Sequence, residues 1–111
     1  MLTSLYVHYP LAEGTAAAEE ERLADAIVAF LAPAAAFVAD ETSLAGLYLA
    51  FELAAGEDAE GWLRRLRDFL ARLGAGSGAY VEVLPPEWQP GVPRRLAHVH
   101  GPDRWVADEG H

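Results

Sequence analysis

The sequence predicts one α+β domain: a four-stranded antiparallel sheet with two helices on one face, in the order strand, helix, strand, strand, helix, strand. Three observations predict it. Leu5-Tyr6-Val7-His8-Tyr9, Leu47 to Leu53 and Tyr80-Val81-Glu82-Val83 each alternate with period two, the spacing that puts side chains on one face of a strand. Two intervening segments carry apolar residues at helical spacing. A length of 111 residues suffices to close one core but not two.

Each element has its own local reason. A first strand spans 4–10 and is ended by Pro10 and the Glu13-Gly14 turn. Thr15 is placed to cap a helix running to Leu31, with Glu19, Glu20 and Glu21 near its positive end. Leu23, Ala24, Ile27, Phe30 and Leu31 form its buried stripe, and Pro33 stops it. Residues 35–40 suit a second strand, and Asp40-Glu41-Thr42-Ser43 supplies turn chemistry. The third strand runs from Leu44 to Ala54 and closes at Gly56-Glu57-Asp58. Asp58 then caps a helix from Ala59 to Leu73, striped by Trp62, Leu66, Phe69, Leu70 and Leu73, with Arg64, Arg65, Arg67 and Arg72 mostly outside the stripe. Gly74 ends that helix in the left-handed conformation. A linker of Ala75-Gly76-Ser77-Gly78 leads to a fourth strand, 79–84, stopped by Pro85-Pro86.

Right-handed crossovers interleave the two βαβ halves into the ferredoxin-like βαββαβ arrangement with strand order 4-1-3-2. Each helix has a single apolar stripe, so both must lie on the same sheet face. That face takes Leu5, Val7, Tyr9, Leu47, Leu49, Phe51, Leu53, Val81 and Val83. The domain is thus read as 1–84, followed by an irregular, proline-rich C-terminal extension, 85–111, in which Leu96 to Val99 suits one short extra strand. Trp88 and Trp105 lie in that extension, and at least one is expected to dock on the body or a second subunit.

Composition narrows the classes of function. The net charge is −9 and all eight cationic side chains are arginine, a balance that disfavours nucleic acid and anionic membranes and suits a basic protein partner. There is no cysteine, which removes disulfides and thiolate metal sites. The N-terminus lacks the basic and apolar pattern of a signal peptide, and the most apolar stretch, 26–39, is shorter than a membrane span and divided by Pro33, so a cytoplasmic location is expected.

Strand alternation leaves a second sheet face carrying Tyr6, His8, Tyr48, Glu52, Tyr80 and Glu82. With strand 1 central, His8 is expected to touch Glu52 or Glu82, which would raise its pKa and make it a candidate catalytic acid–base group. The tyrosines suit a subunit interface, or a plain half-exposed sheet, better than a ligand pocket. An RNA-stacking role is opposed by the two glutamates and by the absence of a glycine- and aromatic-rich third-strand motif. His98-Val99-His100 has the spacing for two imidazoles on one strand face, but a metal is not expected from histidines alone in a proline-rich tail. Ser43 and Ser77 have no histidine signal beside them, and Gly74-x-Gly76-x-Gly78 follows a helix where a phosphate loop would precede one.

The segments Leu5-Tyr-Val-His-Tyr-Pro, Leu47-Tyr-Leu-Ala-Phe-Glu-Leu and Ala79-Tyr-Val-Glu-Val-Leu, spaced by two amphipathic helices, resemble the dimeric α+β-barrel group of ferredoxin-like proteins, which includes antibiotic-biosynthesis-type monooxygenases. The resemblance covers residues 4–84 and implies that two sheets pair through their open faces, with Tyr6, His8, Tyr48, Glu52 and Tyr80 lining the enclosed space. Some cofactor-free oxygenases of that group rely on a pocket asparagine, and this chain has none.

Two readings follow. The first is a non-catalytic, homodimeric binding or regulatory module that uses the Tyr/His/Glu face for a subunit, a basic protein or a small aromatic ligand. The second is a cofactor-independent monooxygenase or isomerase acting on an aromatic or polyketide-like molecule, with His8 as its acid–base group. Neither requires a cofactor.

Overall fold

The computed structural model describes residues 2–43 and 46–106, with the backbone alone at 41–43. Along the chain come β1 (Ser4–Tyr9), α1 (Ala17–Leu31), β2 (Ala35–Ser43), β3 (Gly46–Leu53), α2 (Ala59–Arg72), β4 (Tyr80–Leu84), β5 (Arg94–His98) and β6 (Arg104–Val106). The strands make one six-stranded antiparallel sheet in the order β2-β3-β1-β4-β5-β6.

This corrects the expectation of a four-stranded ferredoxin-like sheet with an irregular tail. The tail supplies β5 and β6, and β4 is an interior strand. The physical reason lies in where the prolines fall. Pro85, Pro86 and Pro90 occupy the β4–β5 connection, Pro93 immediately precedes β5, and Pro102 sits in the turn before β6. None interrupts a ladder, so β5 is free to satisfy the backbone groups that an edge at β4 would leave open. Val81 pairs with Ala97 and Glu82 with Leu96 in that ladder.

An ion-pair chain fixes the added hairpin to the helix layer. Arg67 Nη1 donates to Asp103 Oδ1 at 3.1 Å, Arg95 Nε donates to Asp103 Oδ2 at 2.7 Å, and Arg95 also pairs with Glu60 of α2. Arg67, which the helical stripe puts outside the core, therefore faces the β5–β6 turn. Trp88 is half-buried in the β4–β5 connection and its indole N–H donates to the Val92 carbonyl at 2.7 Å, whereas Trp105 stays 68% exposed.

The core lies between the sheet and the two helices. Leu5 and Val7 of β1, Leu49 and Phe51 of β3 and Val81 of β4 are sealed against Leu23, Ile27 and Leu31 of α1 and Leu63, Leu66 and Leu70 of α2. Leu63, rather than Trp62, belongs to the buried stripe. Trp62 instead meets Phe30 edge-on, and Phe30 stacks on Phe69 at 4.3 Å, so an aromatic cluster joins the two helices. Tyr9 shares the core face, and its hydroxyl donates to the Leu73 carbonyl at the end of α2.

Several local expectations shift. Thr15 donates to the Ala12 carbonyl instead of capping α1, whose N-cap is Ala16, and Asp58 stands at the α2 N-cap without a side-chain capping bond. Residues 40–43 extend β2 rather than forming a turn, because the β2–β3 register continues to Ser43↔Gly46. The expected start of the third strand at Leu44 lies outside the described residues. Gly46 has φ +140°, and a Cβ there would come within 2.6 Å of the Tyr9 carbonyl oxygen, so only glycine fits where β3 enters the sheet. Gly74, at φ +92°, does end α2 as its position predicts.

The carboxylate of Asp103 serves two guanidinium groups, so Asp103→Ala is expected to cost about 1.5–3 kcal/mol in urea unfolding. It should also speed amide exchange in β5 and β6 while leaving β1 protected. Unchanged exchange at β5 and β6 would show that the ion-pair chain does not hold the hairpin.

Candidate functional site

Opposite the helices, the pleat presents two cross-strand rows. The first runs Tyr48, His8, Tyr80, His98 on β3, β1, β4 and β5. The second runs Ala39, Ala50, Tyr6, Glu82, Leu96, Arg104 from β2 to β6. These residues share a face because their neighbours one step along each strand, such as Leu5, Val7, Leu49, Val81 and Ala97, lie in the core.

In the first row the rings touch in sequence. His8 stacks on Tyr48 with centroids 4.4 Å apart and planes 27° apart, and Tyr80 tilts against its other side at 4.9 Å. Tyr80 in turn meets His98 at 5.8 Å. Flanked on both sides, His8 is only 9% exposed, and its Nδ1 finds no hydrogen-bond partner among the described residues. Burial lowers its pKa below the usual imidazole range. The Tyr80 phenol is pushed up, first by burial and then by Tyr48 and Glu82, with Arg94 opposing.

The register decides what His8 meets. Its cross-strand neighbours are two tyrosines, while Glu82 sits opposite Tyr6 and Glu52 opposite Ser4. Glu82 forms an ion pair with Arg94, and Glu52 is exposed. The expected His8–carboxylate contact is therefore absent among the described residues, and the pKa moves down rather than up. A neutral imidazole clasped by phenol rings is not prepared to shuttle protons with a carboxylate. What the face does offer is aromatic surface, phenol hydroxyls and an internally neutralised charge pair.

Tyr6, Tyr48, Tyr80, Glu52, Glu82 and His8 all share this face, as their alternation predicts. Tyr6 is the most open ring at 41% exposure. It borders a shallow depression of about 190 Å³ that is also lined by Ala39, Asp40, Tyr48, Leu49 and Ala50 and does not include His8. Sequence reasoning missed Arg94, Leu96, His98 and Arg104 as members of the face. Their signal was the alternation Arg94/Leu96/His98 against Arg95/Ala97/Val99, which the surrounding prolines obscured. The His98 and His100 rings do not converge: His98 Nδ1 lies 3.2 Å from the Pro102 carbonyl oxygen and His100 Nε2 lies 2.8 Å from that of Ala75.

Comparison with protein-family models, curated proteins and solved structures finds no match. No helix among the described residues is long and apolar enough to cross a membrane.

His8 generates a pH prediction. Because burial disfavours its charged form, the unfolded chain takes up this proton first as pH falls below about 6.5. The His8 contribution to stability is constant above that pH. It becomes unfavourable between there and the lower folded-state pKa, and the loss is complete below the latter. His8→Phe, which keeps a flat ring between the tyrosines, should flatten this part of the stability–pH curve in urea unfolding at about pH 7.5 and about pH 5.5. An unchanged difference between the two pH values would contradict the burial account.

Proposed function

We propose that this chain is a small acidic binding module of the cytoplasm, without catalytic chemistry of its own, that pairs with a second copy through the open sheet face. The observation that carries this reading is the content of that face: three tyrosines and Leu96 around a buried His8, bordered by Glu82 and Arg94 already paired with each other. Aromatic centres with polar, charge-balanced rims are what subunit interfaces favour.

The face is also complementary to itself. A two-fold axis parallel to the strands, between β1 and β4, sets Tyr6 over Glu82 of the second copy, Ala50 over Leu96, Ala39 over Arg104 and His8 over Tyr80. An axis across the strands at the Tyr6 and Glu82 row would set like residues, including the two Glu82 carboxylates, against one another. Electrostatics favour the first. A face-to-face pair is also what the resemblance of β1, β3 and β4 to the dimeric α+β-barrel group implies. The oxygenase or isomerase reading draws less support, because the depression at Tyr6 and Tyr48 leaves His8 out of its lining.

Area sets the expected strength. Six strands about 4.8 Å apart and six residues long give roughly 480 Å² of flat face per copy, or about 1,000 Å² in total, the range of weak or transient pairs. Sedimentation equilibrium should therefore find a concentration-dependent dimer. Tyr6→Glu, which opposes Glu82 of the second copy at an exposed position, should leave a folded monomer. A wild-type chain that stays monomeric at every concentration, or a Tyr6→Glu variant that dimerises as well as wild type, would refute the proposal.

A further inference from the structure

We propose that the outer edge of β2 and the groove beside it receive an added strand from a basic protein partner, in an extended segment where arginine or lysine alternates with small apolar residues. This surface lies on the helix side of the sheet, away from the open face, and its use does not depend on dimerisation.

Three independent features meet there. The first is the edge itself. β2 is nine residues long, ends the sheet, and has no strand on its outer side among the described residues. Phe37 and Val38 on it are 44% and 54% exposed, a large apolar outlay for the rim of a small acidic protein. Unpaired N–H and C=O groups along such an edge are a template for strand addition.

The second is an unused stripe on α1. Besides the buried Leu23, Ile27 and Leu31, the helix turns Ala17, Ala24 and Val28 toward β2, and Ala24 and Val28 are only half-buried. Phe37 and Asp40 rise from β2 on this same side, since they pair with the core residues Phe51 and Leu49. Between helix and strand runs a groove of about 380 Å³, floored by Leu47 and Leu49. A seventh strand on β2 would border that groove, and its helix-side side chains would reach toward the stripe.

The third is charge. Glu20, Glu21 and Asp25 of α1 and Asp40 of β2 line the groove, and among the described residues no cationic side chain does. Arg22, the one arginine of α1, is held by Glu19. The imbalance extends beyond the groove. Residues 1–63 hold eleven acids and one arginine, net −10, whereas residues 64–111 hold six acids and seven arginines, net +1. The whole net charge of the chain therefore belongs to the half that contains α1 and β2.

These features select the occupant. A second copy brings net charge −9 to an acidic edge, and its opposite sheet edge among the described residues, β6, is only three residues long. The register shift between Phe37 and Ala39 and the carboxylate of Asp40 further oppose pairing of β2 with itself. A basic strand replaces the charge repulsion with attraction, and it meets the β2 register shift once where β2 paired with itself would meet it twice. Facing the helix side, its cations would answer the four carboxylates while their methylene stems cover Phe37 and Val28, and its apolar residues would take the opposite side.

The test uses the full chain and a terminally blocked peptide alternating valine and arginine, followed by fluorescence anisotropy. Binding should weaken steeply with salt and fall at least ten-fold in the combined variant Glu21→Gln, Asp25→Asn, Asp40→Asn, all exposed positions. N-methylating either the valines or the arginines removes the N–H groups of one peptide edge. One of the two methylated peptides should lose binding and the other keep it, as ladder formation demands. Affinity should be the same in Tyr6→Glu, which separates this site from the open face. Failure to bind, equal binding of both methylated peptides, undiminished binding to the amide variant, or loss of binding in Tyr6→Glu would each overturn the proposal. So would self-association of the chain that the peptide displaces, since that would make a second copy the occupant.

Discussion

The pleat of β1 governs this molecule. Leu5 and Val7 are fully buried beneath the helices, while Tyr6 and His8, one step away, stand on the other side of the sheet. A shift of one residue would exchange the two sets, exposing leucine and valine and forcing a tyrosine and an imidazole into an apolar core. Because β1 pairs with β3 on one side and β4 on the other, its parity is transmitted to both neighbours. Burial of Leu49, Phe51 and Val81 then leaves Tyr48, Tyr80 and Glu82 outside. The open face follows from how the core is filled.

The C-terminal hairpin changes the meaning of that face. With β4 at the edge, Tyr80 and Glu82 would lie at a rim. With β5 alongside, Tyr80 is flanked by His98, and Glu82 gains Arg94. The sheet becomes wider than its two helices can cover, and the uncovered margins take opposite characters. Toward β2 the margin is acidic with exposed Phe37 and Val38. Toward β6 it is arginine-rich, and Arg67 and Arg95 are committed to Asp103 and Glu60. This division of charge separates the acidic β2 margin, the one proposed to receive a basic strand, from the β6 margin.

How far the sequence disclosed this depended on the type of signal. Alternation in β1, β3 and β4 was strong, because each strand places its fully buried leucine, valine or phenylalanine residues on one side only, and it put every candidate residue on the face where it is found. It could not give register. Whether His8 faces Glu82 or Tyr80 turns on which residues pair across β1 and β4, and period-two patterns are silent on that. The tail was harder. Four prolines between residues 85 and 93 outweighed the brief alternation after them, although all four lie before the start of β5. Asp40 to Thr42 looked like a turn by composition, yet pairing with Leu47 to Leu49 holds them in β2, an instance of tertiary context overriding local preference.

Because the chain has no cysteine, single cysteines report the two faces directly. Alkylation rates of Tyr6→Cys and Ala50→Cys, compared with Val7→Cys and Leu49→Cys in dilute protein, probe adjacent residues on opposite sides of the pleat. Rapid modification at 6 and 50, with protection at 7 and 49 until the chain unfolds, is the predicted result. Protection at 6 and 50 with rapid reaction at 7 and 49 would contradict the placement of the helices and everything derived from it.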